Sequence, residues 1–275
     1  MENIILNEDC FDAFKKISNN SVDFVCVDLP YGCLGIKWDK IIDLEKMWVE
    51  LKRILKPNGQ CAFFCTTKFG NTIINSNPKW FRYDIVWEKT NSVGFLNAKH
   101  SLMRTHEMIY LFHNNVKPKD LKWTYNPQKT EGKPYIRKGK GGIRHMGPYE
   151  RKGDKMLDID KINEDGKRYP KSIIKIGYDT EKIHPTQKPI ELLEWLIKTY
   201  SNENDMVLDF TAGSCGVAVA AINTNRRYIC VEKEKEYFDK AQQRIQNINN
   251  NLNINTGINI IIPENGDIGT DTNSE

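Results

Sequence analysis

The chain has 275 residues, 39% hydrophobic and 28% charged, with a formal net charge of +4. That length builds one large globular domain, or a domain carrying an insertion, and so small a net charge does not by itself mark a nucleic-acid binder. No apolar run approaches the roughly 18 to 20 residues of a membrane span, and Met1-Glu2-Asn3 opens without a charged, apolar, cleavable leader, so a cytoplasmic protein with no membrane partner is expected.

In chain order, residues 4–6 read as a short strand, 10–17 as a helix of a turn or two, and 22–27 as a buried strand ending at Asp28. A helix is expected over 43–55, where Leu44, Met47, Trp48, Leu51 and Leu55 share one face. Pro57-Asn58-Gly59 then predicts a turn into a strand at 61–65. Further strands are expected at 83–87 and 108–112.

From 114 to 181 the periodicity fails, and the stretch reads as an insertion rich in Lys and Arg, interleaved with Trp123, Tyr125, Tyr135, Tyr149 and Tyr169. The core pattern resumes after His184 with a helix at 190–200, a strand at 206–210, a helix at 214–223, a strand at 228–231 and a closing helix at 235–248. The tail is rich in Asn and polar apart from a strand-like run at 258–262. Four segments follow: 1–113, the insertion 114–181, 182–248, and a polar tail 249–275. The alternation of strands and helices predicts an α/β fold with a mainly parallel twisted sheet. Seven cysteines show no CxxC pair and no zinc spacing, so reduced core cysteines and no metal site are expected.

Two segments carry chemistry. Asp209-Phe210-Thr211-Ala212-Gly213-Ser214 follows an apolar strand and turns through small residues into a helix. Backbone passes close to a nucleotide-type ligand at such a switch, where free amides at the helix start meet its polar groups. Glu232 ends the next strand, where an acid accepts hydrogen bonds from ribose hydroxyls. Cys215 occupies the second small position of the usual G-x-G pair. The other segment is Asp28-Leu29-Pro30-Tyr31, at the carboxyl end of a different strand. Asp28 supplies a carboxylate acceptor, Pro30 holds Leu29 extended so that its carbonyl is a second acceptor, and Tyr31 offers a ring for an extruded base. Two acceptors on one amino group favour the pyramidal geometry that frees its lone pair for attack on a sulfonium methyl.

Together these segments resemble the DNA amino-methyltransferases, whose catalytic tetrad is Asp, Asn or Ser followed by Pro-Pro-Tyr or a close variant. Here the tetrad precedes the cofactor loop, an order similar to the circularly permuted beta class. The resemblance covers about 4–248 and implies a Rossmann-like methyltransferase fold with S-adenosylmethionine as cofactor. It implies methyl transfer to N6 of adenine in double-stranded DNA with base flipping; Asp at the head of the tetrad favours adenine, and cytosine N4 methylation or an inactive DNA-binding relative are the alternatives.

On the same resemblance, His184-Pro185-Thr186-Gln187-Lys188-Pro189 matches a signature bordering the cofactor pocket, with Thr186 and Lys188 offered to the methionine carboxylate. Asp9, flanked by Glu8 and Cys10, matches the acidic position that meets the adenine of the cofactor, and the first strand is then expected beside the strand ending at Glu232. Asn91 to Asn97, Arg104, His106 and Glu107 resemble a further family stretch to which no chemistry is assigned. The insertion becomes the target-recognition region, its cations facing phosphates and its aromatics forming a small core or meeting DNA. A homodimer and a cognate restriction endonuclease are partners the resemblance allows.

Overall fold

The computed structural model describes residues 2–32, 39–114, 123–137, 161–180 and 187–256. Its framework is a sheet of eight strands. They are β1 (Ile4–Leu6), β2 (Val22–Asp28), β3 (Leu55–Cys65), β4 (Phe81–Val93), β5 (Arg104–His113), β8 (Ile173–Lys175), β9 (Met206–Asp209) and β10 (Arg227–Val231). Their spatial order is β1-β10-β9-β2-β3-β5-β4-β8. The run from β1 to β3 is parallel, β5 is antiparallel to both β3 and β4, and β8 is parallel to β4. The strand that opens the chain thus pairs with the one ending beside Glu232, as the permuted order requires.

Successive residues of β2 face opposite sides of the sheet. Val25 and Val27 enter one apolar core with Phe14, Met47, Trp48 and Phe63, while Phe24 and Cys26 enter the other with Leu196, Val207 and Ala218. Both faces are covered by helices, so β2 carries almost no polar side chain between its ends. Helices α1 (Cys10–Lys16), α2 (Leu44–Ile54) and α3 (Thr67–Ser76) cover the first face; α4 (Ile190–Tyr200), α5 (Gly216–Asn223) and α6 (Lys235–Thr256) cover the second. Among the described residues none of these helices is long and apolar enough to cross a membrane.

Helix α2 begins where the Asp43 carboxylate accepts from the Lys46 amide at 3.0 Å. Its Met47, Trp48, Leu51 and Ile54 are buried, each contributing roughly 1.5–3 kcal/mol if fully removed from water. Trp48 packs against Phe63, Trp80 and Phe112 with ring centroids 5.2–5.9 Å apart. The predicted turn at Pro57-Asn58-Gly59 lies inside β3: the pairing moves from Val22↔Leu55 to Phe24↔Gln60, so the turn residues bulge out of a strand that continues.

Helix α6 runs to Thr256, past the expected end at 248, and other features also depart from the sequence reading. Helix α3 lacks a long apolar stripe; it is started by Thr66, whose hydroxyl accepts from the Phe69 amide at 3.2 Å, and Gly70 lets it lie on the Tyr110 ring. Strand β8 is three residues long, too short for a periodic signal, and it adds an edge to the main sheet ahead of the expected resumption after His184. Helix α5 starts at Gly216, because Cys215 takes a left-handed backbone with φ 52°.

Within 114–181, β6 (Tyr135–Arg137) pairs antiparallel with β7 (Lys161–Asn163). Tyr125, Tyr135 and Tyr169 are exposed, with Lys129 4.6 Å from the Tyr169 ring and Arg168 4.8 Å from the Tyr135 ring, whereas Trp123 packs on His113 with ring centroids 3.9 Å apart. Tyr149, Thr186 and the run at 258–262 lie outside the described residues.

Candidate active site

The carboxyl ends of β2, β9 and β10 meet at one cavity of about 930 Å³. That is the size of a site for a large ligand. Asp9, Cys10, Asp28, Leu29, Pro30, Tyr31, Lys188, Glu232 and the whole loop from Asp209 to Ser214 line it. The two chemical segments of the sequence therefore share a single chamber. They also touch, since the Thr211 hydroxyl donates to the Asp28 carbonyl at 3.0 Å.

On the Asp209 side the contacts are with backbone. Glu232 accepts from the Gly213 amide at 2.7 Å with one carboxylate oxygen and from the Glu234 amide at 2.8 Å with the other. Burial raises its pKa despite those amides. Asp209 accepts from the Thr211 amide at 3.1 Å. Burial, with the charges of Asp28 and Glu232 adding, pushes its carboxyl up to about 8.

The Ala212 amide donates to the Val231 carbonyl at 2.9 Å, and Arg244 of α6 donates to the Ser214 carbonyl at 3.1 Å. Phe210 is buried against Phe14, 5.1 Å between centroids. The loop thus holds its shape through main-chain bonds. The fit of Cys215 at the small position follows from its left-handed backbone and a side chain turned fully into the core. Gly216 beside it has no room for a Cβ, which would stand 2.9 Å from the Leu193 side chain.

Asp9 caps α1, accepting from the Phe11 amide at 3.0 Å, and its other oxygen meets the Lys233 ammonium at 3.0 Å. Burial opposes ionisation there, but the amide and Lys233 prevail and hold the carboxyl below its usual range. Cys10 is buried, and burial followed by the Asp9 charge pushes its thiol up to about 12, so it stays protonated.

On the Asp28 side the contacts are between side chains. The Tyr31 hydroxyl donates to one oxygen of Asp28, and the Lys188 ammonium contacts the other. Burial, then the Asp28 charge, drives the Tyr31 phenol well above its ordinary pKa, so it remains a donor. Its ring packs on Phe69, 5.2 Å away. The Leu29 side chain is buried in the core, and the residue lines the chamber.

Lys188 also lies 3.4 Å from Glu107, whose other oxygen is held by Lys89. Desolvation works against the Lys188 charge, but Asp28 and Glu107 hold its pKa above the usual lysine value. Burial likewise opposes the Glu107 charge, yet Lys188 and Lys89 keep it below the usual carboxylate range. The resemblance offers Lys188 to a cofactor carboxylate; the structure places it between two carboxylates of the chain, Asp28 and Glu107.

Glu107 and Lys89 were not assigned to the site from sequence. Register brings them there. Asp28 is level with Phe64 of β3, Phe64 with Ile109 of β5, and Glu107 with Trp87 of β4, so the start of antiparallel β5 meets the ends of the parallel strands. A charged residue opening the otherwise apolar run Met108-Ile109-Tyr110-Leu111-Phe112 was the available signal.

A family model described as DNA methylase matches residues 22–243. Type II methyltransferase M.HinfI of Haemophilus influenzae is 29% identical over 91% of this chain and 70% of its own length. Type II methyltransferase M2.DpnII of Streptococcus pneumoniae is 28% identical over 88% of this chain and 89% of its own length. Among solved structures, the M1.HpyAVI-SAM complex superposes with a TM-score of 0.59 at 24% identity, covering 87% of this chain and 98% of that one. The PvuII DNA methyltransferase, titled cytosine-N4-specific, does so with a TM-score of 0.57 at 13% identity, covering 90% of this chain and 91% of that one.

Proposed function

Because the chain belongs to the DNA methylase family whose model matches residues 22–243, we propose that it transfers a methyl group from S-adenosylmethionine to N6 of an adenine flipped out of duplex DNA. The observation that carries this reading is the single chamber in which the Asp28–Tyr31 segment faces the Asp209–Ser214 loop, tied by the Thr211–Asp28 hydrogen bond. The Asp209–Ser214 loop would hold the cofactor in the same chamber as Asp28.

The residues present fit the cofactor. Glu232 and Asp209 end adjacent parallel strands, where ribose hydroxyls and the amino-acid end of such a ligand meet acceptors and loop amides. Asp9 and Cys10 stand at the adenine end, while Lys188, paired with Asp28 and Glu107, belongs to the catalytic side of the chamber. The cofactor supplies an electrophilic methyl. The chain supplies acceptors: the Asp28 carboxylate and the Leu29 carbonyl draw on the protons of the base amino group, and Tyr31 gives it a stacking ring. The catalytic gain comes from positioning and electrostatics.

DNA would approach along the β4–β5 edge. Asn91, Val93, Arg104 and His106 line the chamber there, and from Lys89 to His106 the sequence holds Lys99 and Arg104 but no acidic residue. Such an edge attracts phosphates. The insertion reads the target sequence with its Lys and Arg side chains. A homodimer and a cognate endonuclease remain part of this proposal on the strength of the family alone.

Host DNA digested to nucleosides should contain N6-methyladenine that is absent with Asp28→Ala. N4-methylcytosine in its place would move the chain to the second reading, cytosine N4 methylation. Cofactor binding with no modified base at all would leave a DNA-binding relative.

A further inference from the structure

Each oxygen of Asp28 has a partner, Tyr31 on one and Lys188 on the other. The proposed reaction needs Asp28 to accept from the amino group of the base, and an ammonium on the same oxygen competes for it and draws off its charge, so acceptance is strengthened when Lys188 moves away. Lys188 is only 10% exposed, and an ammonium stranded there without a counter-ion would be strongly disfavoured. A second anion is already in place, for Glu107 stands 3.4 Å from the same ammonium.

Glu107 is itself fixed. Lys89 grips its other oxygen, and Lys89 is 7% exposed, with its ammonium 5.1 Å from the Trp87 ring and 5.6 Å from the Tyr178 ring. The result is a row of alternating charge, Asp28, Lys188, Glu107, Lys89, with two anions and two cations. Moving Lys188 from Asp28 toward Glu107 changes no net charge and leaves no group unpaired, because the base amino group takes the vacated place.

We infer that Glu107, braced by Lys89, is a positioning residue that receives Lys188 when the target base arrives, freeing Asp28 to hold the base amino group. This rests on the methyltransferase reading above. Without the Glu107 charge, Asp28 is the one anion left beside Lys188 among the described residues, and the base must compete with an ammonium for the same oxygen.

The test uses Glu107→Gln, Glu107→Asp and the charge-balanced Lys89→Met/Glu107→Gln chain, each first shown by circular dichroism to fold. Glu107→Gln should lower kcat about tenfold or more while KM for DNA and Kd for cofactor stay within about threefold. Glu107→Asp should recover part of the loss. The double variant should remain slow, since restoring charge balance does not give Lys188 a second anion.

Recovery of kcat in the double variant, or an unchanged kcat in Glu107→Gln, overturns the inference in favour of a merely structural ion network. The pairing is read without catalysis by the ζ-nitrogen NMR signal of Lys188, which should move in both Glu107→Gln and Asp28→Asn. A signal that ignores Glu107→Gln also overturns it. Failure of the wild-type chain to methylate any DNA would instead overturn the methyltransferase reading, and the NMR arm would still report whether Glu107 holds Lys188.

Discussion

The two sides of the chamber are built from different materials. Around Asp209–Ser214 and Glu232 the acids are held by main-chain amides, and the loop keeps its shape through backbone bonds and a left-handed Cys215. Around Asp28 the acid is held by other side chains, Tyr31 and Lys188, with Glu107 and Lys89 behind them. Main-chain donors are fixed by the fold and cannot move without deforming it. Side-chain ions can exchange partners at little structural cost. The first arrangement suits a ligand that is bound and released unchanged in pose, and the second suits a site that must hand an oxygen over to a base.

The largest effect expected from that difference is on chemistry without stability. Asp28→Ala should reduce methyl transfer by at least about 10²–10³-fold, the usual cost of one preorganised electrostatic contact. It should leave the melting temperature nearly unchanged, because Lys188 keeps Glu107 as its partner. Parallel nucleoside analysis and thermal melts check this. A large fall in melting temperature would show that the side-chain side is as structural as the backbone side.

The next effect belongs to the backbone side and is read in pH. Asp209 has its pKa raised by burial from 3.8 to about 8. Below pH 4 the carboxyl is protonated in both folded and unfolded chains and has no effect. As pH rises from about 4 to about 8 the unfolded chain loses this proton while the folded chain keeps it, so stability falls; above about 8 the loss is complete. The loss is on the order of 5 kcal/mol. Asp209→Asn, neutral throughout and still able to accept from Thr211, should gain stability relative to the wild type across that window. Denaturant midpoints at pH 5 and pH 8 check it, and a constant gap between the two chains would break the claim.

Much of this division was legible in the sequence, but unevenly. Asp28 and Asp209 each end a run of apolar residues, and local sequence announces such strand ends. Helix α4 was readable to the residue because Leu192, Leu193, Leu196 and Ile197 repeat at helical spacing. Glu107 and Lys89 were not readable as site residues, since only the register of an antiparallel strand against a parallel one carries them to Asp28. Strand β8 was hidden for a similar reason. Its pairing with β4 is a tertiary event on three residues, and Ile176, which accepts from the buried Trp87 indole at 2.9 Å, follows it in a segment otherwise read as insertion.

A smaller effect tests the backbone of the cofactor loop directly. Gly213 has φ +52°, a left-handed conformation that costs a residue with a side chain about 1–2 kcal/mol. Gly213→Ala should lose about that much stability and also weaken cofactor binding, because the Gly213 amide is the donor that orients Glu232. Calorimetric titration with S-adenosylmethionine, beside a denaturant melt, separates the two losses. Weakened stability with unchanged binding would detach Glu232 from the cofactor.

The smallest effect decides a residue on which the two kinds of construction meet. Asp9 accepts from a main-chain amide at the start of α1 and from the Lys233 side chain, and it lines the chamber at the end proposed for the adenine. As a helix cap alone, its removal in Asp9→Ala should cost about 1 kcal/mol, and Asp9→Ser, which keeps a capping oxygen, should recover most of that. The serine lacks the carboxylate, so it separates the cap from the ligand contact. If Asp9 also meets the cofactor, Asp9→Ser will be nearly as stable as the wild type and yet bind S-adenosylmethionine several-fold more weakly. Equal binding by Asp9→Ser and wild type would leave Asp9 a cap, and the adenine end of the site would then rest on neighbours such as Cys10 and Phe11, which line the same wall.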